Sequence, residues 1–206
     1  NDEMLKTLAD KGDGSYSYID SIDEARRVFA DKLVGTLHVI AADAKVQVEF
    51  NPDRVKRYRQ IGYEERQLTK AQFRDDTVDA GEVGSGQSVT ALYEIELDGK
   101  RDGPIATVRV RYKNAGTGKV EEFEKAVTQD DLYRTFEAAD VRFRMAAGVA
   151  EFAEILRGSE YAKGARYSDV AAVLQPVALE LSLDERLLEL VRMVQAASSM
   201  PRIPVK

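Results

Sequence analysis

Between Lys45 and Tyr112 the chain repeatedly alternates apolar and polar residues, and this period of two restricts its fold more than any other feature. Val46, Val48 and Phe50 alternate with Lys45, Gln47 and Glu49. Val89, Ala91, Tyr93, Ile95 and Leu97 alternate with Thr90, Glu94 and Glu96, Leu92 being the exception, and Val108, Val110 and Tyr112 alternate with Arg109 and Arg111. Successive side chains of an extended chain point to opposite faces, so each run predicts a strand with one buried and one wet face. Turn-forming residues separate the runs at Asn51-Pro52, Asp98-Gly99 and Asn114 through Gly118. Roughly six strands over 34–127 predict an antiparallel sheet or small sandwich. The run 118–127 alternates poorly and reads as an edge. The polar stretch from Glu64 to Ser85 reads as one long loop of the kind that is functional or mobile.

The flanks switch to helical spacing. Residues 1–33 read as helix, strand, helix. A helix from Met4 to Lys11 carries Leu5 and Leu8 on one face and stops at Gly12. A short strand covers Tyr16–Ile19, and a second helix over Asp23–Leu33 is capped by Asp20 or Ser21, with Ala25, Val28 and Phe29 as its stripe. Over 128–200, Val141, Met145, Val149, Phe152 and Leu156 form one face of a helix that Gly158 ends. Ser168 is placed to cap the next helix, which Pro176 should end or kink. Ser182 to Glu185 has capping-box spacing ahead of a last helix carrying Leu187, Leu188, Val191 and Val194. Residues 201–206 are expected to fray. The whole reads as an α+β chain: 1–33 a short α/β piece, 34–127 a β-sandwich-like domain, 128–200 a helical subdomain.

Composition narrows the chemistry. A chain of 206 residues buries enough surface to need no staple. It has no cysteine, which excludes disulfides, thiolate zinc sites and cysteine nucleophiles. A net charge of −6 disfavours nucleic acid as a partner. No apolar run approaches the ~18–20 residues of a membrane span. The chain opens at Asn1 without a methionine, as a mature form or an excised segment would.

Five local patterns invite a chemical reading. Asp13, Ser15 and Ser17 have Asp-x-Ser-x-Ser spacing, one carboxylate and two hydroxyls that suit Mg²⁺. They sit in a helix-to-strand turn rich in Asp, Gly and Ser, and a plain turn is the better reading. Asp75, Asp76, Asp79 and Glu82 cluster in the long loop. They could hold a cation or serve as paired acid and base carboxylates, but match no defined calcium loop, and a solvated acidic loop is preferred. Gly81 to Gly86 lacks the lysine ending of a phosphate loop and reads as a flexible entry into the strand at Ser88. His38 is the single histidine, so no multi-histidine constellation can be built, and a structural role is expected. Arg54, Lys56, Arg57 and Arg59 interleave with Val55, Tyr58, Ile61 and Tyr63, a basic strip that reads as a solvated strand face rather than an anion site.

The segment from Met4 to Gly12, Tyr18-Ile19-Asp20 and Glu24-Ala25-Arg26 resembles the last helix, strand and helix of a von Willebrand factor type A domain. Val46 to Pro52, Tyr58-Arg59, Ile61 to Glu64, Asp79 to Glu82, Gly86, Ser88 to Glu94, Ala106 to Val108 and Arg111 to Lys113 resemble the region after that domain in bacterial proteins of this type. So do Asp140 to Phe143, Ala150 to Phe152, Leu156-Arg157 and Ser159 to Tyr161. The resemblance places Asp13 to Ser17 at the turn before the last strand, away from the family's metal site, so it implies no metal, cofactor or catalytic residue here. It implies a cell-envelope or periplasmic location, with a lipoprotein anchor in the full-length protein, and the expected partner there is an unknown protein. The expected role is a non-catalytic binding or scaffolding module. A structural stalk and a hydrolase using the acidic loop 75–82 are the alternatives.

Overall fold

A computed structural model describes residues 2–11, 16–32, 38–62, 68–78, 80–99, 102–182 and 184–199. The elements are α1 (Asp2–Lys11), α2 (Ile22–Arg26), β1 (Val39–Phe50), β2 (Val55–Ile61), α3 (Lys70–Phe73), β3 (Gly81–Gly84), β4 (Leu92–Leu97), β5 (Ala106–Asn114), β6 (Val120–Val127), α4 (Val141–Leu156), α5 (Tyr167–Glu180) and α6 (Glu185–Ser199). This is an α+β chain, with antiparallel strand pairs followed by C-terminal helices. Contacts divide it into two units built from interleaved segments, 1–48, 68–89 and 108–125 in one, and 49–67, 90–107 and 126–206 in the other.

The first unit carries most of a four-stranded sheet ordered β3-β1-β5-β6. The poorly alternating β6 is an edge strand, as its sequence predicts. β5 and β6 form a hairpin whose turn is fixed by Asn114, with its backbone N–H donating to Lys119 O at 2.8 Å and its Oδ1 accepting from Gly116 and Thr117. The glycine-rich segment is not a flexible entry but strand β3, paired with β1 through Val39↔Gly84, Ala41↔Val83 and Ala44↔Gly81. A ladder is made by backbone groups, so it needs no side-chain alternation. Two irregularities break this register, and Asp43 sits in the second, between Ala41 and Ala44, with φ 51, a left-handed conformation that suits a bulge. The stretch 64–85 is likewise not one loop: besides β3 it contains α3, closed by a reciprocal Thr69–Gln72 capping box and anchored by Phe73, only 3% exposed.

At the N-terminus Ser21 caps α2, its Oγ accepting from Glu24 N at 3.1 Å, and the helix continues as a π-helical turn over Arg27–Lys32. Residues 16–20 form no strand, where the sequence predicts one over Tyr16–Ile19. Asp13 and Ser15 lie outside the described residues.

The second unit holds the two-stranded sheet β2-β4 and the helices. β4 begins at Leu92, so the alternation over Val89–Ala91 is not used in a ladder. Phe152 of α4, Val170, Leu174 and Val177 of α5, and Leu187, Val191 and Val194 of α6 make one buried cluster. Leu174, Val177 and Val194 are completely enclosed, and each contributes about 1.5–3 kcal/mol of burial. Gly148 permits close approach of α4 and α5, because a Cβ there would lie 2.7 Å from Leu174 Cδ2.

Two helix signals, Ser168 and Ser182, resolve differently from their sequence reading. Asp140 caps α4, accepting from Arg142 N at 2.8 Å. α5 starts at Tyr167, so Ser168 is inside it rather than at its cap, and Asp169 instead grips Arg166. Pro176 does not end the helix, which runs on to Glu180. Buried Val177 and Ala178 beyond the proline hold the last turn in place. Ser182 is not an N-cap but takes φ 56 after α5, and Asp184 caps α6, accepting from Arg186 N at 3.0 Å and Leu187 N at 3.1 Å.

Candidate functional site

The register of β2 against β4 places Arg57 opposite Glu96 and Arg59 opposite Glu94. Opposite charges facing each other across an antiparallel pair stabilise it. Arg57 Nε donates to Glu96 Oε2 at 2.9 Å, and this hydrogen bond holds the Glu96 carboxyl below its ordinary range. Arg59 donates to Glu94 Oε2 from Nε at 3.1 Å and from Nη2 at 2.8 Å. Its Nη1 reaches Glu154 Oε2 on α4 at 3.0 Å, and its guanidinium lies over the Tyr161 ring, 4.0 Å from the centroid. Glu154 is 4% exposed and also accepts from Ser159 Oγ at 2.7 Å and pairs with Arg157. Here β2, α4 and the turn after α4 are held by one buried carboxylate.

The basic strip is, from Lys56 to Tyr58, the exposed strand face its sequence predicts, with the Arg57 side chain 82% exposed and its charge paired across the ladder. Lys56 Nζ lies 3.8 Å from both Glu96 and Asp98. Arg54 belongs to no exposed face: it is 1% exposed, donates from Nη1 to Asp102 O at 3.1 Å and Gly103 O at 2.6 Å, and from Nη2 to Gln129 Oε1 at 2.9 Å. Its Nε has no partner. Arginine is ordinarily an exposed residue, so sequence position alone gives no sign of this burial. Tyr63 lies outside the described residues. On the other face of β2, Tyr58 packs its ring 4.4 Å from Phe50, whose centroid is 5.4 Å from that of Tyr93.

In the first unit the acidic stretch is likewise tied into structure. Asp75 Oδ1 accepts from Thr77 Oγ1 at 2.6 Å and from Thr77 N at 2.9 Å, which keeps its carboxyl below the usual range. Lys45, buried to 3%, donates to Asp75 O at 2.6 Å. Asp76 pairs with Arg111 at 2.8 Å, and Arg111 also meets Glu122, which Arg74 holds at 2.8 Å. Glu82 is exposed on β3, and Asp79 lies outside the described residues. Asp75 and Asp76 thus have separate partners. A general acid in a carboxylate pair needs a raised pKa, and that of Asp75 is lowered. His38 is exposed, and its carbonyl accepts from Ser85 N at 2.8 Å. Among the described residues no three of His, Asp and Glu come together as a metal site, and no helix is long and apolar enough to cross a membrane.

The second unit also contains a groove of about 420 Å³ whose floor is Phe136, Ala147, Gly148, Val170 and Val173, with Glu151, Arg166 and Asp169 at its rim. Periodicity marks α4 and α5 as amphipathic but not the groove.

Residues 35–103 and 98–200, well over half of the chain, match the family described as uncharacterized protein YfbK, C-terminal. The chain belongs to this family. It is 36% identical over 187 residues to the uncharacterized protein YfbK of Escherichia coli (strain K12), a match covering 82% of this chain and 32% of that protein. The chain therefore spans about a third of the length of this relative. No solved structure matches. The family match begins at residue 35, beyond the helix–strand–helix that resembles a type A domain.

Proposed function

We propose that the chain is a non-catalytic protein-binding or scaffolding module of a cell-envelope protein, one that carries a type A domain and a lipoprotein anchor in its full-length form. Residues 1–33 resemble in sequence the closing helix–strand–helix of that domain. The observation that carries this reading is the apolar surface of the N-terminal segment. Met4, Leu5 and Leu8 on α1, Tyr18 and Ile19 after it, and Ile22 and Phe29 beyond are all exposed, and α2 buries no residue. Exposed apolar side chains in this number suit packing against other protein, and the sheet of a type A domain is a surface that would cover them. Of the acidic carboxylates a hydrolase would use, Asp76 is paired with Arg111 and Asp75 accepts from Thr77.

The test is a crosslinking pull-down from a bacterial envelope extract with the whole chain as bait, its Leu8→Glu variant as second bait and a charge-matched control protein. A specific protein enriched by both baits supports a binding module acting through residues beyond the N-terminal segment. Enrichment lost with Leu8→Glu places recognition on the apolar segment. Enrichment no greater than with the control overturns the binding role.

A further inference from the structure

Among the described residues, β6 ends the four-stranded sheet with no strand on its outer side. Asn114 N donates to Lys119 O at 2.8 Å and Ile105 N to Val127 O at 2.7 Å, so the odd-numbered residues of β6 turn their backbone groups toward β5. Neighbouring residues of a strand turn theirs the opposite way. Val120, Glu122 and Glu124 therefore direct N–H and C=O outward. Every residue from Val120 to Ala126 is exposed, Phe123 to 57%. An open edge of this kind is a template for another strand.

The side chains indicate which strand fits. On one face Glu124 lies 3.0 Å from Arg109, and Glu122 lies 3.3 Å from Arg111 and 2.8 Å from Arg74, so each carboxylate has a guanidinium of its own chain. Alternation puts Glu121, Phe123 and Lys125 on the other face. There Glu121 accepts from two neutral donors, Tyr112 Oη at 2.6 Å and Asn114 Nδ2 at 3.1 Å. This face is self-complementary about Phe123, with an anion two residues before it and a cation two residues after. A second β6, antiparallel and related by a two-fold axis through Phe123, sets Glu121 opposite Lys125 at both ends. The backbone phase agrees. Glu122 and Glu124 of the two copies then exchange N–H and C=O bonds, while Phe123 and the Glu121–Lys125 positions form the non-hydrogen-bonded pairs, with Cα atoms ~4.5 Å apart and side chains closest. Centring the axis on Glu122, Glu124 or Lys125 would instead bring identical charges face to face, which disfavours pairing.

We propose that two copies of this chain associate through β6, antiparallel and centred on Phe123, joining their sheets into one. Phe123 packs on its symmetry mate, and Glu121 pairs with Lys125 of the second copy at both ends.

Sedimentation equilibrium and amide exchange of the whole chain over a range of concentrations test this. The mass should rise toward twice that of one copy, and exchange at the amides of Glu122 and Glu124 should slow as it does. Lys125→Glu and Glu121→Lys each set like charges at both ends, so each alone should associate roughly tenfold or more weakly. Mixed in equal amounts, the two variants regain opposite charges at both ends and should associate as the unsubstituted chain does. Glu121 also holds Tyr112 and Asn114, so if Glu121→Lys loses its β signal in circular dichroism, Lys125→Glu and the amide exchange decide. A mass of one copy at every concentration overturns the proposal. A doubled mass with Glu122 and Glu124 exchanging as in dilute solution also overturns it, by placing the contact elsewhere. So does association unchanged in Lys125→Glu, or a mixture of folded variants that associates no better than either alone.

Discussion

Replacing Glu154 with glutamine tests whether one buried carboxylate joins β2 to α4. The side chain of Glu154 is 6% exposed and that of Arg59 21% exposed. Removing one partner from a fully buried ion pair costs roughly 3–5 kcal/mol. Two features reduce that here. Arg59 keeps Glu94 and the Tyr161 ring, and glutamine still offers one oxygen to Ser159. The expected loss is therefore about 2–3 kcal/mol. The assay is urea unfolding of wild type, Glu154→Gln, Arg59→Met and the double variant, with slopes compared so that a midpoint shift at unchanged slope reads as stability. The double variant should be less destabilised than the sum of the singles by about 1–2 kcal/mol, because residues sharing one network do not add. A single loss below about 0.5 kcal/mol, the level of an exposed pair, or strict additivity in the cycle, would refute the assignment of Glu154 as a buried joint.

The carboxylates of Glu96, Glu122 and Asp169 are held below their ordinary range, each first by a hydrogen bond from an arginine, and that of Asp75 by the Thr77 hydroxyl. Groups depressed in the folded state contribute stability that is complete above their unfolded values, about 4.5 for Glu and 3.8 for Asp, and is lost as pH falls through the folded ones. Urea midpoints should stay level from pH 7 to about 5 and fall below about 4.5, less steeply in Arg111→Met, and a flat profile down to pH 3 would contradict the ladder. Gly148→Ala should lower stability by about 1–3 kcal/mol, read as a drop in thermal midpoint, since its Cβ must displace the fully enclosed Leu174; an unchanged midpoint would mean α4 can slide off α5 at no cost.

Much of this fold is legible where one side of an element is apolar. β1, β4 and β5 lie where the alternation of Val46 to Phe50, Tyr93 to Leu97 and Val108 to Tyr112 predicts strands, and α4 and α6 where the stripes predict helices, but the facing differs: β1 turns Lys45 inward and Val46 outward, and of the α4 stripe Phe152 is buried while Val149 and Leu156 are exposed. Legibility stops where backbone rather than side chains makes the contact. β3 pairs through Gly81 and Gly84 and carries no pattern. It stops again where a residue behaves against its type. Arg54 and Glu154 are buried because partners distant in sequence receive them, Gly103 and Gln129 for one, Arg59 for the other. Phe73 is a single apolar anchor in a polar stretch and gives no periodicity. Asp184 rather than Ser182 caps α6 because the chain leaves α5 through a left-handed residue, and spacing alone cannot distinguish the two. For the acidic cluster, composition shows the charges and only the register shows that they are matched.

Arg54 gives the second unit a fastening of a different kind from the ladder. Its acceptors are the carbonyls of Asp102 and Gly103 and the amide of Gln129. None of these takes up a proton in the range where carboxylates do, and added salt barely screens contacts this deeply enclosed. Acid or high ionic strength that loosens Arg57 from Glu96 leaves the knot at Arg54 tied. The turn between β1 and β2 should then be among the last parts of the unit to open, keeping its amides protected from exchange after the outer charges have let go.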